Sequence, residues 1–231
     1  MVRKLDPIDA IENGFALLRK KPIIFFIALI ISFLVFLLEY SFFGRFPYPF
    51  YGRGNRFAEL MIEKSILNEF LFVFILFLLQ IFVSSLLIKI AYEKRVEISK
   101  AIKFVFGKYL ILLLSTILFG LIVGAGLLIL IIPGIFLLIK LLFYQYAIIL
   151  ENKGIITSLE RSWEITNGNW LRIFALIIFI FIIGLVLGFV CFLLYLIFNW
   201  LGILSFIILQ AFISSLNTVA FLEAFKKLSG K

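Results

Sequence analysis

Histidine is absent from the 231 residues, and cysteine and methionine are nearly so, at one and two. Imidazole is the only side chain whose unperturbed pKa lies near neutrality. A proton shuttle or general base here would have to be a carboxylate, a lysine or a tyrosine. The single Cys191, in the apolar run FVCFLL, cannot form an internal disulfide, and the cysteine spacing of a zinc site does not exist. Neither a metal nor a cofactor is expected. Charge is scarce too: 15% of residues are charged and 64% hydrophobic, against roughly a quarter and a half in an ordinary soluble domain. With a mean hydropathy of +1.20, these figures exclude a soluble globular enzyme and a disordered chain. What remains is a polytopic, all-α membrane protein forming one integral membrane domain.

Within that class the sequence divides cleanly. A span needs about 20 apolar residues. Six candidates cover residues 23–43, 70–91, 109–132, 134–150, 171–198 and 202–222. Pro133-Gly134 is read as the turn between the third and fourth, and Asn199-Trp200-Leu201-Gly202 as the reversal between the fifth and sixth. Backbone groups in lipid must be satisfied internally, so helices are expected and not strands. The first apolar run begins only after Lys20-Lys21-Pro22 and no A-x-A site follows it, so a retained helix is expected rather than a cleaved leader.

The formal charge is +9, but the basic residues flank apolar runs. A nucleic-acid partner is therefore not expected, and anionic lipid headgroups are. Most of the 22 Lys and Arg fall in the N-terminal segment (Arg3, Lys4, Arg19, Lys20, Lys21), the second and fourth connections, and the C-terminus. The positive-inside rule then places the chain in the cell membrane with both termini in the cytoplasm. The first, outer connection contains FFGRFPYPFYGRGNRF, which reads as an aromatic interfacial loop, with a helix from about Arg56 to Leu67.

Each odd span is preceded by an amphipathic segment, giving three cytoplasmic interfacial helices. The stripes are Ile8, Ile11, Phe15, Leu18; then Ile98, Ile102, Val105, Tyr109; then Ile156, Leu159, Trp163, Thr166, Trp170. Asp6-Pro7 is a start signal for the first, and Thr157-Ser158-Leu159-Glu160 reads as a capping box in the third. Aligning Ala10, Ala101 and Ser158 brings Phe15, Phe106 and Trp163 into register. That suggests a threefold helix-plus-hairpin repeat, although a matching aromatic is cheap in a chain with 30 Phe.

Residues 133–172 carry a distinctive pattern, PGIFLLIK, AIILENKG and SLERSWEITNGNWLRIF. It resembles the membrane domain fused to some bacterial glycerophosphodiester phosphodiesterases, and related stand-alone multi-pass proteins. The matching positions are Pro133, Gly134, Lys140, Glu151, Gly154, Arg161, Ser162, Trp163 and Trp170. The soluble phosphodiesterase domain has no counterpart in these residues. The resemblance therefore implies a membrane module and no catalytic set.

Three further groups stand out. Gly120 and Gly124, and Gly184 and Gly188, lie four apart in the third and fifth spans. Such pairs let helix backbones approach closely; packing within the bundle is the plain expectation and dimerisation the sharper one. Gln210, Ser214 and Asn217 give the sixth span a polar side, with Gln80, Ser84 and Ser85 in the second and Ser115 and Thr116 in the third. They are expected to hold helices together or to line a path for a solute. Lys140 is the one formal charge well inside a span, about 10 Å past Pro133 at 1.5 Å per residue. It is expected either to snorkel outward or to turn inward to a polar site with Gln210.

The leading functional expectation is a non-enzymatic multi-pass protein that interacts with lipid or serves as an accessory module. The alternative is a small transporter or channel with a polar path lined by the second, third and sixth spans. The topology has a direct check: single cysteines replacing Tyr51 and Lys103, in a Cys191→Ser background, should react with an impermeant reagent from opposite sides of the membrane. Equal reactivity from one side would refute it.

Overall fold

In a computed structural model, residues 4–43, 66–95 and 97–230 are described, and they form helices with no strand among them. The order is α1 (Pro7–Lys20), α2 (Ile23–Phe43), α3 (Ile66–Tyr92), α4 (Ile98–Ile129), α5 (Ile131–Leu141), α6 (Tyr144–Glu151), α7 (Ile155–Thr166), α8 (Trp170–Ile197) and α9 (Asn199–Ser229). Among the described residues, five segments are long and apolar enough to cross a membrane, or six when the bent α1–α2 pair is taken as one. The expected aromatic loop beyond Phe43 and the start of the helix expected at Arg56 lie outside the described residues. Helices α2 and α8 are apolar on every face, as suits elements surrounded by lipid and other helices. The long α9 is the hub, packed against α8, α1 and α2 and touching α3.

Two reversals use a single extended residue each. Leu130 separates α4 from α5, and Phe198 separates α8 from α9. In both, the amide of the reversing residue bonds back to the carbonyl four earlier, and its own carbonyl accepts from the glycine four later: Gly126–Leu130–Gly134 and Leu194–Phe198–Gly202. Both turns thus fall ahead of the expected sites. Pro133-Gly134 lies inside the first turn of α5, where a missing N–H costs nothing because the first donors have no helical partner. The glycines act by allowing contact. A Cβ on Gly134 would lie 2.7 Å from the Leu127 amide nitrogen, and one on Gly202 would lie 2.6 Å from that of Tyr195.

Helix α1 starts as expected: the Asp6 carboxylate accepts from the amides of Ile8 (2.9 Å) and Asp9, with Pro7 at the first position. It meets α2 at an 88° bend. Its small residues face the bundle. Ala10 and Gly14 are buried, and a Cβ on Gly14 would touch the Ala220 backbone, while Phe15 meets Phe212. At this basic end of the bundle, Lys227 pairs with Asp9 (3.0 Å) and Arg172 donates to the Leu5 carbonyl (2.8 Å). The Lys21 amine closes the end of α3, donating to the carbonyls of Ile90, Ala91 (2.9 Å) and Glu93. Burial first, and then nearby Lys226, hold its pKa below the ordinary lysine value, with Glu93 opposing.

The amphipathic segments differ from expectation in two respects. The second is continuous with the third span, because α4 runs unbroken from Ile98 to Ile129. Gly107, between the amphipathic segment and the apolar run, does not break it, and the helix has no proline. The apolar stripes are also only partly buried. Ala101 and Val105 are buried, whereas Phe106 is 74% exposed and Ile8 and Ile156 are exposed too. In α7 the expected capping box is displaced: Gly154 is the cap residue, and Thr157 stands at the third helical position, accepting from the Gly154 amide (2.9 Å).

The glycines separate two kinds of position. A Cβ on Gly120 or Gly124 would meet nothing within 4 Å, and one on Gly184 or Gly188 only ordinary side-chain contact. Bundle packing therefore does not explain the first pair. Gly134→Ala and Gly202→Ala should each lower stability by about 1–3 kcal/mol through overpacking. Gly120→Ala should be neutral, or gain about 0.5–1 kcal/mol from helix propensity. Thermal unfolding in detergent distinguishes the two classes.

Candidate functional site

The fourth span is broken in its interior. Between α5 and α6 the chain turns at Leu142-Phe143, with neither proline nor glycine there to signal it. A break inside an apolar helix frees backbone groups that lipid cannot satisfy. Helix α7 satisfies them with hydroxyls. Ser162 donates to the Lys140 carbonyl (2.8 Å) and accepts from the Phe143 amide (3.0 Å), while the Thr166 hydroxyl, 3.3 Å from the same carbonyl, lies closer to the Ser162 carbonyl (2.9 Å). Ser162 and Thr166 are fully buried. An ion pair locks the other end of this helical pair. The Arg161 guanidinium grips Glu151 at 2.8 and 3.3 Å and reaches Glu164 at 3.4 Å. The Glu151 hydrogen bond, above all, raises the arginine's already high pKa against the opposing effect of burial. The motif residues Glu151, Gly154, Arg161 and Ser162 are thus the parts of one clasp.

Beyond the break, α6 lies in the centre of the protein. Tyr144, Tyr146, Ala147, Ile148 and Ile149 are all buried. Phe143 sits against Tyr146, Phe221 and Phe225, and the Tyr146 hydroxyl donates to the Thr218 carbonyl (3.2 Å). Beside this cluster lies a cavity of about 460 Å³, within the range of small-molecule sites. Its polar lining comes from Ser32 of α2, Gln80 and Ser84 of α3, Gln145 and Tyr146 of α6, and Gln210, Ser214, Asn217 and Thr218 of α9. None of the lining residues carries a formal charge. Ser84 and Thr218 turn their hydroxyls back to their own helices. The amides of Gln80, Gln210 and Asn217 make no hydrogen bond to other described residues.

Gln210, Ser214 and Asn217 therefore come together, and Gln80 and Ser84 join them. Lys140 does not. It is 4% exposed, and its amine donates to the Asn167 side-chain oxygen (2.8 Å) and lies 4.9 Å from the Trp163 ring centre. It neither snorkels from α5 away from the protein nor reaches Gln210. Gln145 and Tyr146 of α6 line the cavity, while Lys140, at the end of α5, lies against the α7–α8 turn. The third span also stands apart from the cavity. Thr116 bonds to the Leu112 carbonyl (2.7 Å) and meets the Tyr144 hydroxyl (2.9 Å), while the Ser115 hydroxyl is buried without a partner, as is that of Ser85. The lining is thus drawn from the first, second, fourth and sixth spans. Ser32 and Gln145 were not singled out from sequence: each is a lone polar residue in an apolar stretch, with no periodic partner.

Of the other motif positions, Pro133 and Gly134 open α5, and Trp170 begins α8 with its ring edge-on to Phe136 at 5.7 Å. Fold and cavity together define the class: among the described residues, an all-helical protein with five to six helices able to span a membrane and an uncharged, partly polar cavity between α2, α3, α6 and α9. The chain belongs to the family described as a domain of unknown function, DUF7847, which it matches over residues 56–226. That match contains the whole clasp and most of the cavity lining. No curated protein and no solved structure is significantly similar to the chain.

The clasp can be tested one hydroxyl at a time. Ser162→Ala strands the buried Phe143 amide and should cost about 2–3 kcal/mol. Ser158, equally buried on the same helix, only bonds back to the Ile155 carbonyl (2.8 Å), so Ser158→Ala should cost about 1 kcal/mol or less. Equal losses of melting temperature would contradict the assignment.

Proposed function

We propose that this protein is a small carrier-type membrane protein that takes an uncharged, hydrogen-bonding solute into the cavity between α2, α3, α6 and α9. The observation that carries the reading is the convergence of the Gln80, Gln210 and Asn217 amides, none hydrogen-bonded to other described residues, on one cavity beside a broken helix. Amides offer donors and acceptors together. They suit a neutral polyol, amide or similar molecule better than an ion, whose charge would find no counter-charge in this lining. Discontinuous helices beside a mid-bundle site are a recurring feature of secondary transporters. The reading is non-enzymatic: substrate is bound and moved, not altered.

The basic segments support a placement in the cell membrane with both termini cytoplasmic. Contact with anionic lipid on that side belongs to the same proposal. It is supported by the large apolar side chains that α1, the start of α4 and α7 turn outward. The likeness of residues 133–172 to phosphodiesterase-fused membrane domains fits a lipid-facing setting without bearing on the solute.

The test is solvent access followed by transport. In a Cys191→Ser background, Gln210→Cys and Asn217→Cys should react with an impermeant maleimide at least ten-fold faster than Ile208→Cys on the outward face of α9. In proteoliposomes, osmotic swelling driven by a panel of neutral solutes should accelerate for at least one of them. Combined Gln210→Leu and Asn217→Leu should abolish that acceleration. Cavity cysteines as inert as Ile208→Cys would mean a dry, structural polar seam, and the carrier reading would fall.

A further inference from the structure

Outside the cavity, the region around Lys140 combines features that a purely structural lysine does not need. Its amine is enclosed, yet no carboxylate forms an ion pair with it among the described residues. An ammonium carries three donors, and the amine has one side-chain acceptor, the Asn167 oxygen at 2.8 Å. The rest of its surroundings is aromatic, with the rings of Trp163 at 4.9 Å and Phe136 at 5.6 Å. The enclosure is thin: Asn167, Trp163 and Trp170 are themselves exposed. Asn167 sits in the turn between α7 and α8 beside Gly168, which has a positive φ of 74°. The uncompensated charge therefore lies one side chain beneath the surface, at the junction of α5, α7 and α8.

We propose that this junction is an oxyanion site, in which Lys140 and Asn167 together bind a phosphate group and the rings of Trp163 and Trp170 form its rim. The chemistry follows from the donors. Asn167 spends its oxygen on the amine and keeps its NH₂ donors, while Lys140 keeps two of its three. Such a set matches the acceptor-only oxygens of a phosphate monoester or diester. Exposed tryptophan rings favour the headgroup region of a bilayer, and basic pockets between membrane helices are known sites for lipid headgroups. A phospholipid phosphate and free inorganic phosphate share this chemistry, so the experiment separates the two. The site is independent of the carrier proposal, because Lys140 and Asn167 do not line the cavity.

The test is native mass spectrometry of delipidated protein, titrated with dioleoyl phosphatidylglycerol alone and in the presence of millimolar inorganic phosphate. The parent should retain one tightly held lipid. Lys140→Met should weaken it at least ten-fold, whereas Lys103→Met, which removes an exposed charge on α4, should leave it in place. Asn167→Asp gives a second reading that keeps the shape of the site: a carboxylate beside the amine should expel the ligand as effectively as removing the charge. Loss in both variants without competition from inorganic phosphate identifies a lipid headgroup. Loss in both with displacement by inorganic phosphate identifies a site for the free anion. Retention of the lipid at parental affinity in Asn167→Asp, or in a folded Lys140→Met, overturns the proposal.

Discussion

The need to satisfy backbone hydrogen bonds where the fourth span breaks is the constraint on which the rest of the protein depends. An interrupted helix in an apolar setting leaves donors and acceptors that water cannot reach, and each one left unmet costs about 1–3 kcal/mol or more. Ser162 meets both needs with one hydroxyl, and Thr166 stands beside it one turn on. Because these residues lie on α7, that helix must dock against the α5–α6 joint. Because it docks there, Glu151 and Arg161 meet and close the other end. Beyond the joint, α6 carries Gln145 and Tyr146, which line the cavity.

A second constraint is how closely helices approach at the two sharp reversals. A single extended residue leaves no room for a Cβ on the glycine one turn later, so Gly134 and Gly202 are fixed by contact rather than by dihedral angle. Only Gly168 and Gly230 among the described glycines have a positive φ, and both follow a helix end, where the left-handed conformation finishes the last turn. Glycine thus serves two separate purposes here. The four-residue spacing that suggested helix packing in the third span corresponds to neither.

Much of the architecture was legible, since runs of about 20 apolar residues leave little choice. The apolar runs themselves, the Asp6-Pro7 start and the shared polar side of Gln210, Ser214 and Asn217 could all be read from spacing. What could not be read follows from the same composition. A largely apolar helix gives no periodic signal of which neighbour it meets, so hydropathy alone does not show that the first span lines the cavity and the third stands apart from it. The break at Leu142-Phe143 carries no local mark, because its stabilising residue stands about twenty positions later on another helix. Depth along a span says nothing of which neighbour the Lys140 amine meets, and its partner, Asn167, lies on a turn far along the chain.

The Asn167 partner shows why Lys140 can remain charged without becoming an ordinary ion pair. A lysine at the centre of a membrane helix costs about 2.5–3.5 kcal/mol on the insertion scale, and less near an end. A hydrogen bond to a charged group returns about 1.5–3 kcal/mol, and an aromatic face in range adds about 0.5–2 kcal/mol. The geometry around Lys140 supplies one such bond and an indole face, so the charge is roughly balanced by neutral groups alone. Balance by neutral groups has a consequence that balance by a carboxylate would not. A carboxylate at position 167 would cancel the positive potential and close the junction as a structural pair. An amide stabilises the ammonium through its oxygen and leaves the net charge intact. The identity of residue 167, amide rather than acid, is therefore what allows the junction to remain folded when empty and still attract an anion.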